Sequence, residues 1–270
     1  MPSTYDIRLI QAGNIIEIIE YEKMILMSEN ENKNENKLRL KIDESKLEID
    51  DVKQKKNREY VKYKARNDVR RLINANVYQW KDEKGDVFLP VFLTLTFAQN
   101  IKDLLLANKE FRKFIKRLGN QLAHDQAYVK YVAVPEFQKR GAVHYHLVMF
   151  NLPYIKARVI EKIWTHGFIK INAIDEVDNV GAYVCKYMTK EDDQDKLKGQ
   201  KCYFTSRSIN KPEEIKTLSD SKTGRKIKEM LNDLSEYKKY VTEQDSEYYG
   251  LIRYTQYNTL KKLIPEGVLV

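Results

Sequence analysis

The sequence predicts an α+β fold, an antiparallel sheet with helices packed against it. Two β-prone runs, at 128–137 and 142–150, are separated by little more than Lys139-Arg140-Gly141, so the strands they form must run antiparallel. Segments with the 3, 4 spacing of an amphipathic helix alternate with further β-prone runs on both sides of that pair. At 270 residues the chain has room for a core of ordinary size, as one large domain or a domain with appendages.

Taken in order, residues 4–27 hold apolar β-prone stretches, Ile15-Ile16-Glu17-Ile18-Ile19 and Met24-Ile25-Leu26-Met27 among them, and predict strands of a small N-terminal element. Residues 28–37 are polar and of low complexity, the composition of an exposed loop or linker. Residues 52–75 predict a helix. A strand follows at 91–97, then a helix near 102–118 with Leu104, Phe111, Phe114, Ile115 and Leu118 on one side. The two strands at 128–137 and 142–150 come next, then a helix near 155–163 and a strand near 167–172. After residue 200 the pattern loosens. Basic and aromatic residues mix over 203–225, and six of the 18 tyrosines fall between 237 and 257. Such a mixture can stack on bases and hold phosphates, or pack a small helical appendage. The division predicted is 1–52 for the N-terminal element and linker, 53–200 for the main domain with a leading basic helix, and 201–270 for a helical or DNA-binding appendage.

The hairpin fixes a chemical constellation. Strand periodicity turns His144 and His146 to one face. With glycine in the left-handed position of a three-residue loop, 138 pairs with 142 and Glu136 falls opposite His144, roughly 5 Å away at Cβ and on the same face. One carboxylate and two imidazoles leave coordination positions open for water and a phosphate oxygen, which suits a catalytic Mg²⁺, Mn²⁺ or Zn²⁺. A closed zinc site would need a fourth ligand, and none is nearby in sequence.

A second constellation occupies 175–190. Val177, Val180, Val184 and Met188 mark the apolar stripe of a helix, and Tyr183 and Tyr187, four apart, share a side of it. Each is followed three residues later by a lysine, Lys186 and Lys190. Cys185 is turned to another face by helical geometry and reads as packing. His166, in a turn, and His124 are left outside the site.

Three ordered motifs, Phe92-Leu-Thr-Leu-Thr-Phe97, Glu136 with His144-Tyr145-His146, and Tyr183-Val-Cys-Lys-Tyr-Met-Thr-Lys190, resemble those of the HUH endonucleases, specifically the rolling-circle replication initiators of single-stranded DNA phages and bacterial plasmids. The resemblance spans roughly residues 90–190. It implies an RRM-like five-stranded antiparallel sheet with both histidines on the central strand, and a nickase that cuts single-stranded DNA at a replication origin through a covalent 5′-phosphotyrosine and later rejoins the strand. It further implies a divalent metal, Mg or Mn, on Glu136, His144 and His146, with Tyr187 the first nucleophile, Tyr183 the second, and Lys186 and Lys190 assisting. A tyrosine phenolate suits such transfer because the phosphotyrosine bond preserves the energy needed for religation. An HUH-type transposase would use the same chemistry. An RRM-like nucleic-acid-binding module without catalysis is the non-enzymatic alternative. Mobilisation relaxases usually carry their tyrosine before the histidine motif, the reverse of the order here.

Composition agrees. Lys and Arg number 48 against 39 Asp and Glu, a net +9 that favours a polyanionic partner. The excess is concentrated over 53–71, where nine basic residues face two acidic ones, and Lys55, Lys56, Arg58 and Lys62 are the expected DNA contacts. Two cysteines suggest a reducing compartment, and the lack of an apolar run of about 18 residues excludes a membrane-spanning helix, so the expected location is the cytoplasm of a bacterial host. No phosphate-binding Gly-x-x-x-x-Gly-Lys-Ser/Thr is present, so unwinding and synthesis would fall to a host helicase and polymerase.

Overall fold

The computed structural model describes residues 4–27, 47–122, 128–174, 179–188 and 200–259. In chain order the elements are β1 (Thr4–Ala12), β2 (Ile15–Leu26), α1 (Leu47–Asn74), β3 (Val91–Thr96), α2 (Leu104–Leu122), β4 (Tyr131–Phe137), β5 (Val143–Met149), α3 (Ala157–Trp164), β6 (Ile169–Ala173), α4 (Val180–Cys185) and a 3-10 turn at Lys186–Met188. They are followed by β7 (Phe204–Thr205), β8 (Glu213–Thr217), α5 (Lys222–Asp233), β9 (Lys238–Ser246) and β10 (Gly250–Asn258). The α+β class is as expected: two five-stranded antiparallel sheets and, among the described residues, five α-helices.

The chain divides into two units, one of residues 58–211 and one assembled from 1–57 and 212–270. In the contiguous unit the sheet order is β6-β3-β5-β4-β7, which puts β5 and its histidines at the centre. The β4–β5 loop closes as the sequence requires: Gln138 N donates to Ala142 O at 2.8 Å and Gly141 adopts φ 84°, a conformation that costs glycine little. Pro135 lies in β4 without weakening that ladder. Bonded positions alternate, and with 138 bonded to 142 the amide position of 135 points away from β5, toward the side where β7 pairs only as far as Ala133.

Both faces of this sheet are covered, and alternation along each strand sorts the side chains. One face presents Leu93, Leu95, Ala133, Tyr145, Leu147 and Met149 to Phe111, Phe114 and Leu118 of α2 and to Ile160 and Trp164 of α3. Tyr145, although it stands between the two histidines, belongs to this face. Its hydroxyl donates to Asn108 Oδ1 at 2.6 Å, it stacks on Phe111, and burial pushes its phenol far up, so it is not available for chemistry on the other side. The opposite face presents Phe92, Val132, Val134 and Val148 to Val69 and Ile73 of α1 and to Val180 and Val184 of α4.

In the discontinuous unit the order is β8-β1-β2-β10-β9. Gly13 at φ 59° begins the two-residue turn that joins β1 to β2, where Ala12 pairs with Ile15. Ile7, Leu9, Ile16, Ile18 and Tyr257 pack against Ile227 and Leu234 of the α5 segment. Among the described residues of both units, no helix is long and apolar enough to cross a membrane.

The expected three consecutive segments differ from this division. β1 and β2 pair directly with β8 and β10, so the N-terminal element and most of 201–270 share one sheet. The tail is also largely strand where a helical appendage was expected, because Tyr240, Tyr254 and Tyr257 fall on paired strands. Pairing between segments some 200 residues apart leaves no local signature in sequence. The linker at 28–37, His124 and Lys190 lie outside the described residues.

Candidate active site

The Glu136–His144 register is the one the loop dictates: Glu136 opposes His144, and Val134 opposes His146. From the other side β3 sets Thr96 opposite His144 and Thr94 opposite His146. All three candidate ligands are buried, at 6% exposure for Glu136, 7% for His144 and 5% for His146. A buried carboxylate needs compensation, and Glu136 Oε2 and His146 Nε2 bond each other. The other ring nitrogen of His146, Nδ1, lies 3.2 Å from Thr94 Oγ1. Thr94 therefore holds the ring against rotation from the far side. Its place in the Phe92–Phe97 strand marked the motif, but its bond to His146 follows only from strand order.

The tyrosines arrive on the same face. The rings of His146 and Tyr187 stack with centroids 4.2 Å apart, and Phe92 packs against both, 5.6 Å from His146 and 5.3 Å from Tyr187. Tyr183 meets Phe92 edge-on at 5.7 Å and Tyr187 at 6.1 Å. Burial, a hydrogen bond with Tyr183 and the nearby Glu136 charge push the Tyr187 phenol up to about 12. The phenol is therefore protonated at neutral pH, and a nucleophilic role requires that its proton be drawn off. Lys186 is exposed, with its ammonium 5.7 Å from the centre of the Tyr183 ring.

The expected helix over 175–190 is shorter among the described residues. It begins after Asn179, whose side chain caps it by accepting from Ala182 N at 2.9 Å, and it tightens into the 3-10 turn that carries Tyr187. What seats it is a contact no local pattern announces. Asn74, at the end of α1 and only 3% exposed, accepts from Gly181 N at 2.9 Å and donates to Asn179 Oδ1 at 3.0 Å. Gly181 permits this approach, since a Cβ there would lie 2.3 Å from Arg70 O. Cys185 is buried, as expected of a packing residue, with its thiol bonded to Arg66 O at 3.2 Å and burial pushing it up to about 11. Neither the Asn179 cap nor its partner Asn74, 105 positions earlier, was read from the sequence.

The basic segment has two parts. Val69 and Ile73 are fully buried against the site face of the sheet, so the end of α1 is core. Lys62, farther back, is half-buried. The side chains of Lys55, Lys56 and Arg58 lie outside the described residues. His166 is away from the site, as expected for a turn histidine, with Nε2 3.0 Å from Glu110 Oε2 and its ring against Trp164 and Phe97.

One carboxylate and two imidazoles on one face are a donor set suited to a divalent cation with open positions. Among the described residues no group of three such side chains is already disposed as a ligand cluster, and Glu136 bonds His146 directly. Ligation would require that bond to open.

Residues 90–192 match the model of the family described as Replication-associated protein ORF2/G2P, which is consistent with a rolling-circle Rep protein. The matched stretch runs from β3 through α4 and takes in Glu136, both histidines and both tyrosines. No curated protein and no solved structure matches the chain.

Proposed function

We propose that this replication-associated protein starts rolling-circle replication by nicking single-stranded DNA at an origin through a tyrosine, and that the same centre rejoins the strand. The observation that carries the reading is the Tyr187 ring stacked on His146 beside Glu136, which sets a potential nucleophile directly against a potential metal ligand. In the cut, the phenolic oxygen attacks the scissile phosphorus, the P–O3′ bond breaks, the phenol loses its proton and the departing 3′ oxygen gains one. Attack by that 3′ hydroxyl on the phosphotyrosine reverses the step. Tyr183, one turn away, attacks the regenerated junction while Tyr187 remains attached. Lys186 and Lys190 add positive charge near the phosphate, and Lys55, Lys56, Arg58 and Lys62 hold backbone phosphates of the DNA.

Glu136, His144 and His146 would hold a divalent ion, Mg or Mn, once the Glu136–His146 bond opens. Bound there, such an ion would supply Lewis-acid polarisation of the phosphate and neutralise charge on its oxygens. Thr94 keeps His146 in place, and the surrounding Phe92 and Tyr187 rings limit water access. A host helicase and polymerase would supply unwinding and synthesis.

The test is incubation of the full chain with a labelled single-stranded library and Mg²⁺ or Mn²⁺. A covalent, protease-sensitive adduct on Tyr187 or Tyr183 is expected, and its loss on adding EDTA. Binding without any adduct would reduce the protein to a nucleic-acid-binding module, and an adduct on neither tyrosine would remove α4 and its turn as the nucleophile carrier.

A further inference from the structure

Edge strand β6 leaves an aromatic ring and a cation on the same sheet face as the histidines. Lys170 pairs with Thr94, whose hydroxyl contacts His146. Two residues earlier Phe168 continues the ladder, with its carbonyl accepting from Thr96 N at 3.1 Å. The alternate residues Ile169 and Ile171 pack into the core on the opposite face, which turns Phe168 and Lys170 toward the site side. Phe168 is 61% exposed and Lys170 is exposed as well. Among the described residues neither makes an ion pair, hydrogen bond or ring contact through its side chain.

The position is built rather than loose. Gly167 runs so close to β3 that a Cβ there would lie 2.4 Å from Thr96 O and 2.6 Å from Ala98 N, and Ala98 N donates to His166 O at 2.7 Å. The backbone beneath Phe168 is therefore pinned on both sides of the ring. β6 is two strands from β5, and at about 4.8 Å per strand Phe168 stands on the order of 10 Å from His144. At the same end of the sheet Lys102, Lys139 and Arg140 are exposed, and among the described residues Arg140 bonds the neutral Gln138. An isolated exposed phenylalanine needs no explanation. One held rigidly among cations, beside a proposed phosphate-cutting centre, has the form of a stacking platform.

We propose that Phe168 and Lys170 form a binding subsite for single-stranded DNA flanking the scissile phosphate, Phe168 stacking on a base and Lys170 pairing with the backbone next to it. This rests on the reading of the protein as a DNA nickase and adds the residues that align the strand. Stacking is tolerant of base identity, so the subsite positions the strand without reading its sequence.

The experiment measures binding of dye-labelled oligothymidylate to the full chain by anisotropy without divalent ion, beside the adduct assay with it. Phe168→Ala should weaken binding about 5- to 150-fold, the usual range for losing one base–aromatic stack. Phe168→Leu should weaken it similarly, whereas Phe168→Tyr should restore it, a pattern that a packing role would not give. Phe168→Trp should restore binding and add an emission quenched by the oligonucleotide, against Trp80 and Trp164 as background. Lys170→Ala should lower the slope of log affinity against log salt by about 0.7, one single-strand phosphate contact, and Lys170→Arg should recover it. Wild-type affinity in Phe168→Ala, rescue by leucine, or an unquenched Phe168→Trp would overturn the subsite. Those outcomes with normal adduct formation would remove the platform alone; quenching without any adduct would keep the platform and remove the nickase.

Discussion

Asn74→Ala isolates the clamp that seats the tyrosines without touching them. The side chain is 3% exposed and makes two bonds, accepting from Gly181 N at 2.9 Å and donating to Asn179 Oδ1 at 3.0 Å. Each ordinary hydrogen bond is worth about 0.5–1.5 kcal/mol net, and a buried N–H left without an acceptor costs about 1–3 kcal/mol. Asn179 keeps its bond to Ala182 N, so only the Gly181 amide is abandoned. The expected loss is about 2–4 kcal/mol, carried by the contiguous unit. Urea denaturation followed by circular dichroism reads it as a lower midpoint with an unchanged slope; with two units, only one of two transitions should move. Adduct formation under conditions where the variant is folded should fall further than stability suggests, since misplacement by about 1 Å can cost about 100-fold in rate. A wild-type midpoint together with a wild-type adduct rate would show that the α1–α4 contact does not position the tyrosines.

The remaining predictions concern the site and its DNA. Tyr187→Phe keeps the ring stacked on His146 but has no nucleophilic oxygen, so the first cut should be nearly lost, while Tyr183→Phe should cut once and fail at strand transfer; peptide mass spectrometry of the trapped adduct decides the order. His144→Ala or His146→Ala should abolish nicking with little loss of DNA affinity, and Glu136→Ala should be severely impaired; cleavage that persists in EDTA would eliminate the metal. Because burial holds the Tyr187 phenol at about 12, its reactive form grows about tenfold per pH unit below that value, and the cutting rate should climb through the neutral range. A flat pH profile would mean that the phenol's ionisation does not limit the rate. Neutralising Lys55, Lys56, Arg58 and Lys62 together should flatten the salt dependence of binding by up to about 0.7 log units per lost single-strand contact, and an unchanged slope would make that helix a solvated face.

The site was most legible where distance along the chain was short. A three-residue loop with Gly141 determines a register, and the register determines which carboxylate meets which histidine, so Glu136 opposite His144 followed from counting. Tyr183 and Tyr187 shared a side of their helix because four residues make about one turn. The contacts that complete the centre are tertiary. Thr94 reaches His146 because β3 lies beside β5, and Asn74 reaches Gly181 because α1 crosses the same face, arrangements that spacing cannot encode. The basic run over 53–71 looked uniform in charge, yet its last turns are core because Val69 and Ile73 share one side of the helix. The largest departure, strands from both ends of the chain in one sheet, is a pairing problem that hydrophobic alternation leaves open.

Asn76 and Asn210 face each other across 134 positions: Asn76 Nδ2 donates to Asn210 O at 2.9 Å, and Asn210 N donates to Asn76 Oδ1 at 2.8 Å. The loop after α1 is thereby fastened where the chain leaves the contiguous unit, and the chain order, 58–211 between the two parts of the other unit, is that of one domain spliced into a loop of another. Synthesis then acquires an order. Residues 58–211 form one compact unit that can fold once it has emerged, while β1 and β2 must wait with an isoleucine-rich face until β8 and β10 are made. A hairpin made before the contiguous unit is thus completed only after it.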